Sequence, residues 1–362
     1  VSNLQNIAIV IPSLNPDEKL IEVVEEVLYK GFKTVIVVND GSSSEYDGYF
    51  ERISKYKECT VLKHYKNLGK GRALKTAFNY FLNTYTEHIG LITADADNQH
   101  HVDDIVSCAK ALVANSLSSN NNNLILGCRD FDLENVPKNS KLGNKITRFV
   151  FKILCGIKIS DTQTGLRALP AELVKEFLDI EGERYEYETN MLIEAKEKKY
   201  DFQEIKIQTI YIEDNKSSHF NPIKDSIKIY LLIFKHLFKF GIIGALSTLM
   251  DLGLFTLLMY WFRNLSPKEK IFLSTLFARI FSSLFNYFSN SQIVFNNTLN
   301  KKVTMTKYYI LAVIQMSVSY LAVLSLSKLM VFINPTMIKI LVDFTLFILS
   351  FQIQREWVFK KL

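Results

Sequence analysis

The chain has 362 residues, 48% of them hydrophobic and 22% charged, with a net charge of +6, enough for two domains with separate cores. No basic stripe interleaved with aromatic residues is present, which argues against a nucleic-acid partner. The four cysteines (Cys59, Cys108, Cys128, Cys155) are scattered without metal-ligand spacing and read as free thiols in a reducing compartment.

Up to about residue 235 apolar and charged residues alternate as in a soluble α/β protein; beyond it long runs of Phe, Leu, Ile and Tyr take over. Short apolar or β-branched runs at Ile7–Ile11, Thr34–Asn39, Thr60–Lys63, Ile89–Thr93 and Leu124–Gly127 read as buried parallel strands. Helical patterns at Asp17–Tyr29, Gly71–Tyr85 and Asp103–Ala114 separate them. This rhythm predicts a doubly wound sheet that binds ligands at the carboxyl ends of its strands. The polar stretch Ser116–Asn123 reads as a loop. Helices near Lys141–Cys155 and Glu186–Lys198 and a strand at Phe202–Ile212 complete the first half. No leader precedes the first strand, so this half is expected in the cytoplasm.

Between Asn221 and Lys239, Ile223, Ile227, Tyr230, Leu231, Phe234 and Phe238 recur at helical spacing among Lys224, Lys228, Lys235 and Lys239. That predicts a basic amphipathic helix lying in lipid headgroups. Apolar runs at Phe240–Trp261, Ile271–Phe295, Tyr308–Phe332 and Met337–Ile353 are each near the ~20 residues needed to cross a bilayer. The expected domains are therefore 1–220, 221–239 and 240–362, in a multi-pass cell-membrane protein. With an even number of spans the C-terminus returns to the cytoplasm, beside Lys301, Lys302, Lys307, Arg355, Lys360 and Lys361, although Arg263, Lys268 and Lys270 fall on the other side. The second and fourth spans end in similar segments, FNYFSNSQIVF and LSFQIQREWVF, which suggests a duplicated hairpin. Asp251, Arg279 and Asp343 interrupt apolar runs and are expected to face the bundle interior, with Arg279 paired to an aspartate; Lys328 and Lys339 are expected to snorkel.

The chemistry concentrates at the predicted strand ends. In Thr93-Ala94-Asp95-Ala96-Asp97 an apolar strand delivers two carboxylates, oxygen ligands suited to a hard divalent cation that also holds a diphosphate. Asp40, after the second strand, could accept from a nucleobase N–H. Asn67-Leu68-Gly69-Lys70-Gly71 is a turn opening a helix, suited to anion binding, with Lys70 placed to meet a phosphate.

Taken in order, IPSLN (Ile11–Asn15), NDGSS (Asn39–Ser43), NLGKGRAL (Asn67–Leu74), ADADNQH (Ala94–His100), GCRD (Gly127–Asp130) and DTQTGLRAL (Asp161–Leu169) resemble motifs of family 2 glycosyltransferases. The similarity is to the polyprenyl- and dolichyl-phosphate sugar synthases and covers about residues 5–220. Residues 238–360, entered by Lys239-Phe240-Gly241, resemble GtrA-like membrane domains. The resemblance implies a GT-A fold with a mostly parallel sheet, Mg²⁺ or Mn²⁺ as cofactor, and Pro12, Asn15 and Asp40 around the nucleoside. It implies metal and diphosphate on Asp95, Asp97 and Gln99, and an acceptor phosphate or sugar met by Arg129, Arg148 and Arg167. Where the family has Asn-Glu after the first strand, this chain has Asn15-Pro16, leaving Asp17 or Glu18 to substitute; Asn39 stands where an aspartate is common. The basic segment that closes the nucleotide site reads Glu213–His219 here, with Lys216 or His219 for that role.

The expected reaction is inverting transfer from a nucleotide-sugar to polyprenyl (undecaprenyl) phosphate at the cytoplasmic membrane face, for cell-envelope glycosylation. UDP-glucose is favoured as donor, ahead of GDP-mannose and UDP-N-acetylhexosamine. A lipid phosphate is already anionic and needs no strong base. Asp161 could serve a hydroxyl acceptor but is better suited to orient the loop around Gly165 and Arg167; Glu186 and Glu188 are the other acidic candidates. The competing readings are a glycosyltransferase with a hydroxyl acceptor and a lipid-sugar transporter with a nucleotide-binding domain. A homo-oligomer is compatible with each.

Overall fold

The computed structural model describes residues 2–118, 123–131, 136, 138–208, 224–295, 297, 299–330, 332 and 334–359. It divides into two compact units, Val1–Leu232 and Ile233–Leu362.

The first unit is built on a seven-stranded sheet: β1 (Ile7–Ser13), β2 (Thr34–Asn39), β3 (Cys59–Lys63), β4 (Gly90–Thr93), β5 (Asn123–Arg129), β6 (Arg167–Pro170) and β7 (Asp201–Ile207). Their order is β3-β2-β1-β4-β6-β5-β7. β6 alone runs against its neighbours β4 and β5; the other pairings are parallel. This is the mostly parallel, GT-A-like arrangement implied by the resemblance. Helices α1 (Glu18–Tyr29), α2 (Asp47–Ile53), α3 (Lys70–Thr84), α4 (Val102–Leu117), α5 (Lys138–Val150), α6 (Ala171–Phe177) and α7 (Glu186–Glu197) intervene. β1, β2 and β4 are buried on both faces, as expected of Val- and Ile-rich central strands. Ile9, Val35, Val37 and Ile92 pack there with Val24 of α1 and Ile105 of α4.

Two expectations need adjusting. The short strand Arg167–Pro170 was not anticipated, and the helix near Lys141 begins at Lys138 and passes at its end into a π-turn, Phe151–Cys155. The strand expected at Phe202–Ile212 is seen as β7; Thr209–Ile212, the Glu213–His219 segment with Lys216 and His219, and 119–122 of the expected Ser116–Asn123 loop lie outside the described residues, while Ser116 and Leu117 end α4 and Asn123 opens β5.

Among the described residues, the second unit holds four helices long and apolar enough to cross a membrane, at Leu237–Trp261, Pro267–Val294, Lys301–Leu329 and Thr336–Val358. They belong to α8 (Lys224–Trp261), α9 (Pro267–Ser289), α10 (Lys301–Leu329) and α11 (Pro335–Ile353). α8 is unbroken from Lys224, so the amphipathic stretch and the first span form one helix. α9 and α11 each start at a capping residue followed by proline, Ser266-Pro267 and Asn334-Pro335. Each ends in a π-turn, Asn290–Val294 and Gln354–Val358.

The suspected repeat holds at the level of individual bonds. Ser247 Oγ donates to the Ser282 carbonyl at 2.8 Å, and Gln315 Nε2 donates to the Leu346 carbonyl at 3.2 Å. Asn290 Nδ2 donates to Asn286 Oδ1, as Gln354 Nε2 does to Ser350 Oγ. The rings of Phe240 and Phe351 lie 5.5 Å apart, as do those of Tyr308 and Tyr287. Phe295 and Phe359, which close the two π-turns, stack at 4.9 Å.

Charge breaks the likeness. Arg279 pairs with Asp251 at 3.4 Å in the first hairpin. In the second, Lys339 lies 2.7 Å from Asp343 and donates to Ser319, so it is engaged within the bundle instead of snorkelling. A cavity of about 990 Å³ lined by Arg279, Gln315, Ser319, Lys339, Asp343 and Gln354 runs between the helices of this unit.

Candidate functional site

The carboxyl ends of β1, β2 and β4 meet at one edge of the sheet, where the chain order reverses between β1 and β4. Three turns there lock together. Asn15, after β1, has a left-handed backbone (φ 49°), takes a 2.8 Å contact between its N–H and Ser42 Oγ, and accepts from the Ser43 N–H. Asn39 accepts from the Ser42 N–H at 2.8 Å, so an amide suffices where the family commonly has aspartate. Pro12 sits in β1 opposite Val38. Asp17 caps α1 through the Lys19 N–H, which commits one of its oxygens to the helix.

Asp40 is 3% exposed, and both its oxygens are engaged. They accept from the Leu68 and Gly69 N–H groups at 3.0 and 2.8 Å, and His64 Nδ1 lies 2.7 Å away. The carboxylate thus ties the NDGSS turn to the NLGKG turn, and a nucleobase contact would use the lone pair that remains. Gly69 has φ 107°, and a Cβ on it would run into the Glu183 carbonyl. Residues 183–187 therefore lie directly on the start of α3, with the Arg72 N–H donating to that same carbonyl.

Lys70 is brought in by this close approach. Its Nζ lies 2.8 Å from Asp95 Oδ1 and 3.0 Å from Glu188 Oε1. Burial alone would lower the Lys70 pKa, but Asp95 and Glu188 outweigh it and hold the ammonium firmly charged. Burial would likewise raise Asp95; Lys70 and then His100 override it and keep that carboxyl well below the usual range. Asp97 behaves oppositely: burial, then the neighbouring Asp95 charge, pushes its pKa up. Its Oδ1 accepts from the Gln99 N–H at 3.2 Å. Lys70 thus meets carboxylates, where the sequence had suggested a phosphate. Of the acidic candidates in YEYETN, Glu188 belongs to this cluster, whereas Glu186 accepts from the Glu183 and Arg184 N–H groups.

The DTQTG segment braces the cluster from below. Thr93 Oγ1 donates to the Gly165 carbonyl at 2.8 Å, and a Cβ at Gly165 would collide with the Asp95 carboxylate. Asp161 is fully buried and holds Arg129 through a two-pronged pair of 2.7 and 3.1 Å. Arg129 also lies over the Phe131 ring at 5.1 Å. Arg167 is 1% exposed and donates to the Thr164 and Glu188 carbonyls. Arg148 is exposed on α5. The three arginines therefore occupy different settings. His64, His100 and Gly165 were not anticipated as site-builders; His100 lies within ADADNQH itself, and its Nε2 is 3.3 Å from Asp95.

Among the described residues no group of three His, Cys, Asp or Glu side chains could hold a metal by itself. Asp95 and Asp97 offer carboxylate oxygens of the kind Mg²⁺ or Mn²⁺ takes, one or two at a time, with phosphates and water completing the shell. Asp97, with its pKa raised beside Asp95, is the carboxylate that gains most from an added cation. The donor set fits.

Residues 8–177 match glycosyl transferase family 2, and residues 239–359 match the GtrA/DPMS transmembrane domain. An uncharacterized protein of Methanocaldococcus jannaschii is 30% identical over 240 residues, 65% of this chain and 94% of that one. The UDP-N-acetylglucosamine–dolichyl-phosphate N-acetylglucosaminyltransferase of Methanococcus voltae is 27% identical over 57% of this chain and 86% of its own. Glycosyltransferase AglJ of Haloferax volcanii is 25% identical over 68% and 79%. The chain belongs to glycosyl transferase family 2 and carries a GtrA/DPMS transmembrane domain behind its transferase part.

Proposed function

We propose that this glycosyltransferase moves a sugar from a nucleotide-sugar to a polyprenyl phosphate at the cytoplasmic membrane face. The observation that carries the reading is the Asp95–Lys70–Glu188 cluster with Asp97 beside it at the sheet edge, in a chain that also has four potential spans. The dolichyl-phosphate relative supports a lipid-phosphate acceptor and brings UDP-N-acetylhexosamine level with UDP-glucose as donor.

A divalent cation on Asp95 and Asp97 would neutralise the diphosphate of the departing nucleotide. Gln99, at the same turn, is suited to the diphosphate. Lys70 keeps Asp95 ionised and aimed by the geometry above. Pro12, Asn15, Asp17 and Asp40 frame the pocket for the nucleoside, with Lys216 or His219 closing it. The acceptor oxygen attacks the anomeric carbon from the face opposite the leaving group, inverting it. Arg129, held planar by Asp161, and Arg148 are the guanidinium groups suited to a lipid phosphate.

Purified full-length protein, supplied with radiolabelled UDP-glucose, UDP-N-acetylglucosamine or GDP-mannose, undecaprenyl or dolichyl phosphate, and Mg²⁺ or Mn²⁺, should form a labelled lipid. No lipid-linked product with any combination would overturn the proposal. A second reading, movement of a lipid-linked sugar, is favoured by the cavity of the bundle, mostly apolar but bearing Arg279, Gln315, Lys339 and Asp343; donor-side sugar appearing on the far leaflet of vesicles would support it.

A further inference from the structure

At the sheet edge two carboxylates are held rigid and the ammonium between them is not. Asp95 is pinned on two sides. His100 Nε2 lies 3.3 Å from its Oδ2, and the Gly165 backbone packs so closely that a Cβ there would collide with the carboxylate. Glu188 belongs to α7, whose first turn presses on the start of α3: a Cβ on Gly71 would run into Tyr187. The Glu188 carbonyl also accepts from the buried Arg167 guanidinium at 2.6 Å. Lys70 spans these fixed points on a flexible aliphatic stem, with Nζ 2.8 Å from Asp95 Oδ1 and 3.0 Å from Glu188 Oε1.

Two carboxylates thus share one ammonium. The Glu188 side chain is only 12% exposed, and a carboxylate so enclosed is costly unless it is paired. Asp95 has both oxygens engaged, Oδ1 by Lys70 and Oδ2 by His100. A divalent cation bridging Asp95 and Asp97 would stand beside the ammonium on Oδ1, and the two like charges repel. Asp95 cannot retreat, because Gly165 lies against it. Lys70 can, because Glu188 already meets the other side of the ammonium. With a second cation on Asp95, each carboxylate would have a partner of its own.

We infer that Lys70 holds the cation's place on Asp95 and passes to Glu188 when a divalent ion binds. Metal loading is then an exchange of one cation for another, and Glu188 is the residue that receives the ammonium. The inference rests on the reading that Asp95 and Asp97 take the metal. Before loading, Lys70 keeps Asp95 ionised and in place; after it, Lys70 neutralises Glu188 and stays beside the site. Displacing the ammonium makes the ion alone a weak ligand. The diphosphate of a donor supplies further oxygens, so the ion loads with the donor and not ahead of it.

The test measures binding of Mn²⁺ alone to the purified full-length protein, by loss of the free-ion electron paramagnetic resonance signal. Two variants keep the net charge of the parent, so charge by itself predicts no change in either. Lys70→Met combined with Glu188→Gln removes one charge of each sign and frees Asp95; it should bind Mn²⁺ several-fold more tightly than the parent. Lys70→Arg keeps its charge but grips carboxylate oxygens with a planar fork; it should bind several-fold more weakly. Circular dichroism matching the parent qualifies each variant, and the rise in unfolding midpoint on adding Mn²⁺ should follow the same order. A double variant that binds Mn²⁺ as the parent does, or less tightly, would overturn the exchange. Tighter binding by Lys70→Arg would do the same. Binding by neither parent nor double variant, with or without UDP or GDP, would remove the metal from Asp95 and Asp97, and the exchange with it.

Discussion

The sheet edge and the membrane bundle hold paired charge in different ways. At the edge, Asp95, Lys70 and Glu188 come from three elements far apart in sequence and are forced together by backbone contacts at Gly69, Gly71 and Gly165. In the bundle, charge sits on a duplicated hairpin whose backbone-directed bonds are kept while the charged partners change: Asp251 with Arg279 in one copy, Lys339 with Asp343 and Ser319 in the other. Close packing dictates which groups meet at the edge. In the bundle, repetition dictates the scaffold, and departures from repetition mark where its chemistry differs.

The most severe break in this comparison is at Asp97. Asp97→Ala should lower turnover on the order of 10²-fold or more, the scale of losing one group that stabilises developing charge. Circular dichroism should stay as in the parent; unchanged turnover would remove Asp97 from the machinery. Next is Arg129→Ala. It strands Asp161, fully buried, without its guanidinium, and should destabilise the first unit by about 3 kcal/mol, read from denaturant unfolding.

Two smaller effects sharpen the contrast. Folding raises the Asp97 pKa from 3.8, so the folded state favours its proton. The stabilising contribution of that proton is present below the ordinary carboxylate range and lost as pH rises through the raised value. Asp97→Asn, assayed with chelator by denaturant unfolding, should therefore be more stable than the parent at neutral pH. The two should converge in acid. In the bundle, Asp251→Ala leaves Arg279 without its carboxylate and should cost about 1 kcal/mol in a detergent unfolding assay. Ser319→Ala, at the matching place in the second hairpin, should cost less, because Lys339 keeps Asp343.

Much of this architecture was legible from residues alone. Buried parallel strands announce themselves as unbroken Val and Ile runs, and Thr34–Asn39 appears in the structure with the expected bounds. The spans were legible because lipid demands length and apolarity together. β6 was not, since four residues ending in proline carry no periodicity. Nor was the fate of Lys70: a glycine-flanked lysine before a helix is also what a phosphate site looks like, and its partner Glu188 arrives only through the fold. Arg167 and Asp161 were recognised as a motif, but their burial follows from α7 and β5 closing over them.

The paired π-turns closed by Phe295 and Phe359 carry an ancestral consequence. A hairpin that stacks its terminal ring on an identical ring is a hairpin able to dimerise with itself. Joining two copies in one reading frame frees each to drift: a substitution no longer falls on both halves at once. Asp343 stands where the first hairpin has Arg279, so a cleft built on two like hairpins has a front and a back.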